Sequence, residues 1–204
     1  MSRPAIIMVG SGGHARACID VIEAEGRFRV AGLIGLSHEV GLENMGYPVL
    51  GTDNDLPGLV KEVQSALVTV GQIETPQPRM RLFRQLLELG YELPTIVSPN
   101  ARISRHAMLA GGTIIMHGVL INAGARIGRN CIINSGATIE HDACISDHCH
   151  VSTAVTINGG VGVGEGSFIG SGSVVREGVR IGEGCIVSMG QRVFADCADG
   201  SWLR

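Results

Sequence analysis

One short stretch of this chain concentrates side chains that could carry out acid–base chemistry. Residues 134–152 read NSGATIEHDACISDHCHVS, and within them His141 stands between Glu140 and Asp142. A carboxylate that bonds one imidazole nitrogen fixes the tautomer and raises the basicity of the other nitrogen, as a general base near neutral pH requires. The stretch therefore predicts His141 as a catalytic base with a carboxylate partner beside it.

The same stretch raises two other kinds of chemistry. Cys144, His148, Cys149 and His150 could suggest zinc, but their spacing includes neither a paired CxxC nor an HxxxH motif. The cysteines also lack a paired base in the sequence, which disfavours a cysteine nucleophile. We therefore predict no metal site and no covalent intermediate.

A second chemically informative segment lies near the start of the chain, where residues 10–15 read GSGGHA. Gly10, Gly12 and Ala15 satisfy the spacing G-x-G-x-x-A of nucleotide-binding turns, in which glycine lets the backbone approach a phosphate and the next helix presents free N–H groups. A dinucleotide site also needs an acid at the end of the second strand, and the nearest acid here is Glu39. The turn predicts a nucleoside diphosphate, with His14 as a directional donor.

The elements that hold these residues follow from a repeat. An aliphatic residue occupies every sixth position from Val97 to Val193, seventeen times without a miss, and a small or β-branched residue follows four positions later through Cys185. A period of six fits neither a helix nor a flat strand and predicts a hexapeptide-repeat parallel β-helix. Three hexads should form one triangular coil, giving a prism of five to six coils and about 27 Å. His141, two residues after Ile139, should then point outward from a corner.

The first ninety residues follow a different pattern. Apolar strands are predicted at about residues 5–10, 29–34 and 66–70, and helices at 15–26 and 80–89. The first helix has Ala17, Ile19, Val21 and Ile22 available for burial. Strand, helix and strand in this order indicate a small Rossmann-like α/β domain. We expect two domains, residues 1–92 and residues 93–204.

Composition restricts the partners. The chain has 204 residues, a formal charge of −3 and only 3% aromatic residues, so it lacks both the basic surface and the stacking side chains of a nucleic-acid-binding protein. It has no apolar run of transmembrane length, and its first residues do not resemble a signal peptide. We expect a cytoplasmic protein without a membrane partner.

The glycine turn and the hexapeptide prism with its EHD segment together resemble the sugar O-acyltransferases of sialic-acid type. Relatives in that family acetylate the amine of UDP-linked 4-amino-4,6-dideoxy sugars. The resemblance implies a left-handed β-helix, acetyl-CoA as the acyl donor, a nucleotide-sugar substrate and a homotrimer. The implied reaction is N-acetylation; O-acetylation of sialic acid or a related sugar is the alternative.

The resemblance also assigns roles to residues. His141 matches the family's general base and Asp142 its orienting acid. The other implied positions are His150, which contacts acyl-CoA; Gly159, whose N–H faces the thioester carbonyl; Asn134, near the acceptor amine; Gly10, Gly12, Gly13 and His14, in the nucleotide loop; and Gly71, at the uridine end.

Two departures and two alternatives qualify this assignment. Relatives often carry two aspartates where this chain has Gly35 and Leu36, which leaves the identity of the acceptor open. Relatives also continue from a DGS-like turn into a Gly-x-Pro-Ala segment, whereas here DGS leads to Trp202.

A γ-type carbonic anhydrase would need histidines that face one another, but His117 and His141 are four hexads apart and fall on different faces. A non-catalytic scaffold is the other alternative.

Overall fold

The computed structural model describes residues 3–204, and its N-terminal part is a five-stranded sheet with helices on both sides. The strand order is β3-β4-β2-β1-β5; β3 alone runs antiparallel to its neighbour. The strands are β1 (Ala5–Val9), β2 (Arg29–Ile34), β3 (Glu43–Asn44), β4 (Tyr47–Gly51) and β5 (Ser65–Val68), and the helices are α1 (Gly13–Glu25), α2 (Leu56–Leu59) and α3 (Gln77–Glu88).

Successive side chains of β1 point to opposite faces of the sheet, so the core of this domain has two layers. Ile6 and Met8 pack on the side of α1, whereas Ile7 and Val9 pack on the side of α2 and α3. This period of two is what a strand covered on both faces produces. Because β1, β2 and β5 run parallel, their carboxyl ends meet at one edge of the sheet, where loops can form a ligand site.

Residues 96–203 form a triangular prism of two-residue strands. The seventeen strands from Ile96–Val97 to Arg192–Val193 pair in parallel with strands 18 residues away, as Ile121 does with Ile103 and Ile139. The second residue of each of these strands is one of the seventeen aliphatic residues of the repeat, and most of these fill the interior. The predicted left-handed β-helix is confirmed, and Cys131, Cys149 and Cys185 are buried in it as small apolar residues.

The prism has three faces, which we call the docking face, the second face and the third face. The docking face consists of β6 (Ile96–Val97), β9 (Ile114–Ile115), β12 (Ile132–Ile133), β15 (His150–Val151), β18 (Phe168–Ile169), β21 (Ile186–Val187) and β23 (Trp202–Leu203). The second face consists of β7 (Arg102–Ile103), β10 (Leu120–Ile121), β13 (Thr138–Ile139), β16 (Thr156–Ile157), β19 (Val174–Val175) and β22 (Arg192–Val193). The third face consists of β8 (Met108–Leu109), β11 (Arg126–Ile127), β14 (Cys144–Ile145), β17 (Gly162–Val163) and β20 (Arg180–Ile181).

The α/β domain packs on the docking face. Ile96, Ile114 and Ile132 point out of the prism and join the same buried cluster as Ile19 and Ile22 of α1. Burial of these aliphatic side chains stabilises the contact by about 25 cal/mol per Å² of apolar area. One hydrophobic cluster therefore includes residues of both parts of the chain, and the interior of the prism forms a separate one.

Several local predictions differ from the structure. Ala17 is exposed, and α1 buries Ala15 and Cys18 in addition to the expected Ile19, Val21 and Ile22. The region between β2 and β5 contains the β3–β4 hairpin and α2, which lack a long hydrophobic period and so were not predicted. Among residues 3–204, no helix is both long enough and apolar enough to span a bilayer.

Candidate functional site

His141 lies at the prism corner that joins the second and third faces. Its Nδ1 is 3.0 Å from Oδ2 of Asp142, and the two side chains are 67% and 73% exposed. Glu140 is not its partner, because Glu140 Oε2 accepts a hydrogen bond from Asn122 Nδ2 at 2.9 Å. The structure therefore selects Asp142 from the two flanking acids, and no hydrogen bond within residues 3–204 involves His141 Nε2.

Two glycines leave room for this pair. A Cβ atom on Gly159, one coil further along, would lie 2.6 Å from His141 Nε2 and 2.7 Å from Cε1. A Cβ atom on Gly124 would overlap Asp142 Oδ1. The imidazole thus lies directly against the Gly159 backbone, where an N–H group can serve as an oxyanion donor.

The backbone of this region is unusual for the repeat. From position 112 to position 190 each corner has one residue with positive φ, and this residue is glycine except at Asn130, Asp142, His148 and Ala154. Positive φ is unfavourable for residues with a Cβ and, where it occurs, often marks a functional site. Of these four residues, Asp142 lies at the corner of His141, whereas Asn130 and His148 lie on the edge between the third face and the docking face.

A cleft of about 470 Å³ opens at the carboxyl ends of β1, β2 and β5. Its lining includes five residues singled out in the sequence, Gly10, Gly12, Gly13, His14 and Gly71. It also includes Gly35, Leu36 and Glu39, which the sequence analysis noted without assigning them to the site. The lining residues that the sequence did not reveal are Val9, Ser11, Ile34, Asp53, Thr69, Val70, Pro78, Arg81 and Leu82. The cleft is thus built from the glycine turn and from loops after the two neighbouring strands.

The three glycines of the turn have different structural roles. Gly10 has a φ of 123°, and a Cβ there would lie 2.7 Å from the backbone nitrogen of Val70, so the fold itself requires glycine. Gly12 and Gly13 are exposed, and a Cβ on either would enter open space. Because they begin α1, whose first turn contains no acid, the helix N-terminus can receive an anion.

His14 and His150 meet where the α/β domain rests on the docking face. Their ring centroids are 6.5 Å apart. Nδ1 of His150 is 2.6 Å from the Gln72 carbonyl oxygen, and its Nε2 is 3.3 Å from Asn134 Nδ2. The structure therefore brings Asn134 together with His150 and places both near the nucleotide turn, on a different edge of the prism from His141.

Both histidines are neutral at physiological pH. Burial is the main cause that lowers the pKa of His14 to about 3, and the charges of Arg79 and His150 act in the same direction. Burial also lowers the pKa of His150 to about 4, against the effect of its bond to Gln72. His14 can therefore contact a phosphate as a neutral donor or acceptor, not as a cation.

Arg79 of α3 connects the cleft to the prism. Its Nη1 donates to the carbonyl oxygens of Val68 at 3.1 Å and Val70 at 2.6 Å. Its Nη2 donates to the backbone oxygen of Asn130 at 3.1 Å and to Asn130 Oδ1 at 2.8 Å. The guanidinium is completely buried, and burial lowers its pKa to about 10, which leaves it charged at neutral pH.

His117 serves a different purpose from the other histidines. Its Nδ1 is 2.6 Å from Ser98 Oγ, and its Nε2 is 2.8 Å from Asp20 Oδ2 on α1. Ser98 is 1% exposed, so this trio links the domains and offers no accessible nucleophile. Within residues 3–204, no group of three or more His, Cys, Asp or Glu side chains is arranged to hold a metal ion.

Comparisons with known proteins agree with this geometry. Residues 5–86 match the family described as the PglD N-terminal domain, and residues 160–195 match the hexapeptide repeat of succinyl-transferase. No sequence among the curated proteins matches.

Solved structures resemble the whole chain. A mutant of perosamine N-acetyltransferase from Caulobacter crescentus, in complex with CoA and GDP-perosamine, has a TM-score of 0.93 and 33% identity over 98% of this chain and 93% of that one. The acetyltransferase domain of PglB from Neisseria gonorrhoeae FA1090, in complex with acetyl coenzyme A, has a TM-score of 0.90 and 26% identity over 98% and 96%. WeeI from Acinetobacter baumannii AYE, at 20% identity over 97% and 95%, shares the fold with a TM-score of 0.84. This chain therefore belongs to the hexapeptide-repeat sugar acetyltransferases that carry a PglD-type N-terminal domain.

Proposed function

We propose that this protein transfers the acetyl group of acetyl-CoA to the amine of a nucleotide-linked amino sugar. The observation that carries the proposal is the His141–Asp142 pair, which lies exposed at a prism corner with its imidazole against Gly159. The perosamine N-acetyltransferase and PglB structures, which contain CoA or acetyl coenzyme A, support the identity of the donor.

His141 acts as a general base, and the acetyl group passes directly from the thioester to the acceptor amine. Its Nε2 removes a proton as the acceptor amine attacks the thioester carbonyl carbon, while Asp142 holds Nδ1 and stabilises the imidazolium. The Gly159 N–H donates to the oxyanion of the tetrahedral intermediate. When the carbon–sulfur bond breaks, the proton on His141 passes to the sulfur, and the products are the N-acetyl sugar and CoA thiol.

The cleft in the α/β domain holds the nucleotide part of the substrate. Gly12 and Gly13 place the N-terminus of α1 against the diphosphate, and His14 and Gly71 lie beside it. The assignment of Asn134 to the acceptor amine and of His150 to the coenzyme remains a prediction. Their position under the α/β domain favours a contact with the acceptor.

An open groove on the third face is suited to the acyl donor. It begins beside Asp142 and is lined by Arg126 and Arg180, with Cys144 and Gly162 between them. Neither arginine forms an ion pair with a side chain of residues 3–204. Two free guanidinium groups flanking a shallow groove can bind the phosphates of a coenzyme.

The active unit is a homotrimer in this proposal. The cleft belongs to the domain on the docking face, whereas His141 lies between the other two faces, so one chain does not bring them together. The second face presents uncharged outward residues at Leu120, Thr138, Thr156 and Val174. A neighbouring copy packed there can place its cleft near His141, and a closed ring of copies repeats the contact.

A thioester-cleavage assay tests the reaction. Release of CoA thiol should require a nucleotide sugar with a free amine, and GDP- and UDP-linked 4-amino-4,6-dideoxy sugars are the appropriate acceptors. The same sugars with a hydroxyl in place of the amine, and CMP-linked and free sialic acid, are the comparison. Turnover only with the hydroxyl-bearing sugars would replace N-acetylation with O-acetylation, and no turnover with any acceptor would contradict the proposal.

Gly12→Val should abolish measurable nucleotide binding at the cleft while leaving acetyl-CoA affinity unchanged. The new side chain enters open space within the protein, so the fold should tolerate it, but it occupies the approach to the helix N-terminus. Isothermal titration with GDP and UDP measures the loss. Gly58→Val in α2, where a Cβ also enters open space, is the matched control and should bind as the wild type does.

The same variant tests whether subunits share the site. Gly12→Val and His141→Ala chains, each inactive alone, should regain activity when co-assembled, because some interfaces then pair an intact cleft with an intact His141. Random mixing in equal amounts predicts about a quarter of the wild-type activity. Mixed assemblies that stay inactive would place the whole site within one chain.

A further inference from the structure

The carboxylate of Glu39 occupies the space at the end of β2 that a side chain at position 35 would fill. Gly35, the residue after β2, has no Cβ, and a Cβ there would lie 2.8 Å from Oε2 of Glu39 and 2.7 Å from Oγ of Ser11. Glu39 ends a short 3₁₀ turn, Ser37–Glu39, that folds back over the strand end. An acidic group therefore stands at the end of the second strand, although no acid occurs there in the sequence.

Two hydrogen bonds hold this carboxylate in position. Glu39 Oε2 accepts from the Leu36 backbone N–H at 2.7 Å and from Ser11 Oγ at 2.7 Å. These two bonds lower the pKa of Glu39, so the group is ionised at neutral pH. Because Ser11 belongs to the glycine turn, the carboxylate is tied to the loop that faces the phosphates.

The second oxygen, Oε1, is left to accept from a ligand. Two donors already use the lone pairs of Oε2, and no hydrogen bond within residues 3–204 involves Oε1. The other carboxylate lining the cleft, Asp53, is paired with Arg81 at 3.0 Å. Glu39 is therefore the available anionic acceptor in this cleft.

The charge of Glu39 determines which part of a nucleotide it can meet. A carboxylate repels phosphate, and the N-terminus of α1, at the other side of the turn, attracts it. In doubly wound nucleotide folds an acid at the end of the second strand accepts from ribose hydroxyls. A ribose hydroxyl that donates to Glu39 satisfies both conditions.

We propose that Glu39 is a specificity-determining residue that accepts a hydrogen bond from a ribose hydroxyl of the nucleotide substrate. The inference rests on the proposed function, since it assumes that the cleft binds the nucleotide part of the substrate. It explains how a chain with Gly35 and Leu36 at the strand end can still recognise the nucleoside.

Titration of the full chain with six nucleotides tests the inference. GDP and UDP are compared with their 2′-deoxy and 3′-deoxy forms, on the wild type and on Glu39→Gln. The wild type should bind one of the deoxy forms about 10-fold more weakly than the ribonucleotide, as expected for loss of one bond to a charged group. Glu39→Gln should bind the ribonucleotide about 10-fold more weakly and should no longer distinguish that deoxy form.

Controls separate this result from a general effect on the cleft. Glutamine keeps an oxygen for the Leu36 N–H, so far-UV circular dichroism and thermal unfolding should match the wild type. Asp53→Asn removes the other carboxylate of the cleft and should keep the discrimination between ribose and deoxyribose.

Each other outcome has a defined meaning. Failure of the wild type to bind either GDP or UDP would overturn the proposed nucleotide cleft itself. Binding that is unchanged in Glu39→Gln would overturn only the role of Glu39. A weaker variant that still rejects the deoxy form as strongly as the wild type would show that Glu39 contacts the base, which contradicts the ribose assignment.

Discussion

Replacing His141 with alanine should lower kcat by about 10²–10⁴-fold and leave the KM for acetyl-CoA nearly unchanged. The imidazole is exposed and contacts Asp142 and Gly159 at the surface, so its loss removes the base without opening a cavity in the core. Steady-state thiol release with the amino-sugar acceptor measures the effect. Retention of more than a tenth of wild-type turnover would show that another group, or the substrate itself, removes the proton.

Gly159→Ala tests the position of the His141 imidazole, because the added methyl group displaces the ring without removing it. Gly159 does not have a positive φ, so alanine adds no backbone strain and its effect is confined to the contact with His141. The double variant should be no slower than His141→Ala alone, because both changes act on the same proton transfer. Additive losses would mean that the added methyl group also disturbs a part of the site other than the His141 imidazole.

The prism was predictable because its physical constraint is strictly local. Every coil must fill the same triangular interior, so an aliphatic residue is required at each sixth position, and all seventeen from Val97 to Val193 end a strand. The same logic placed His141 at a corner. The corner position with positive φ also carries a signal in the sequence. It is glycine in most hexads, but at position 142 it is the aspartate that orients His141.

The cleft could be predicted only in part, because its lining comes from separate segments that the fold brings together. Gly10, Gly12, Gly13 and His14 were visible as one motif. Glu39 was visible only as the nearest acid, since its place at the strand end depends on a 3₁₀ turn without a periodic pattern. The β3–β4 hairpin, which pairs with β2 next to it, was missed for the same reason.

Arg79 illustrates a limit of a different kind. Residues 77–88 contain three arginines, at positions 79, 81 and 84, and only Arg79 is buried. A charged residue in an amphipathic helix is expected on the solvated face. Its burial depends on the carbonyl groups of Val68, Val70 and Asn130. Val68 ends β5 and Val70 lies two residues after it, whereas Asn130 belongs to the other domain.

Arg79→Met should therefore destabilise the protein by about 3 kcal/mol or more, although it replaces a buried cation with an apolar side chain of similar length. Such replacements can be neutral when all partners of the charge are replaced with it. Here the partners stay: three backbone carbonyls and Asn130 Oδ1 lose their donors, and each unsatisfied buried group costs about 1–3 kcal/mol. Urea unfolding followed by circular dichroism measures the loss.

Because Arg79 joins α3 to Asn130 of the prism, the variant should also lose cooperativity between the domains. We expect helical ellipticity to disappear at lower urea than the β-helix signal, whereas the wild type should lose both in one transition. Arg84→Met, an exposed arginine on the same helix, is the matched control and should change stability by less than about 0.5 kcal/mol. If Arg79→Met unfolds at the same urea concentration as Arg84→Met, the four bonds to Arg79 do not hold the two domains together. The α/β domain would then be held on the docking face by other contacts, chiefly those of Ile96, Ile114 and Ile132 with α1 and the bond between His117 and Asp20.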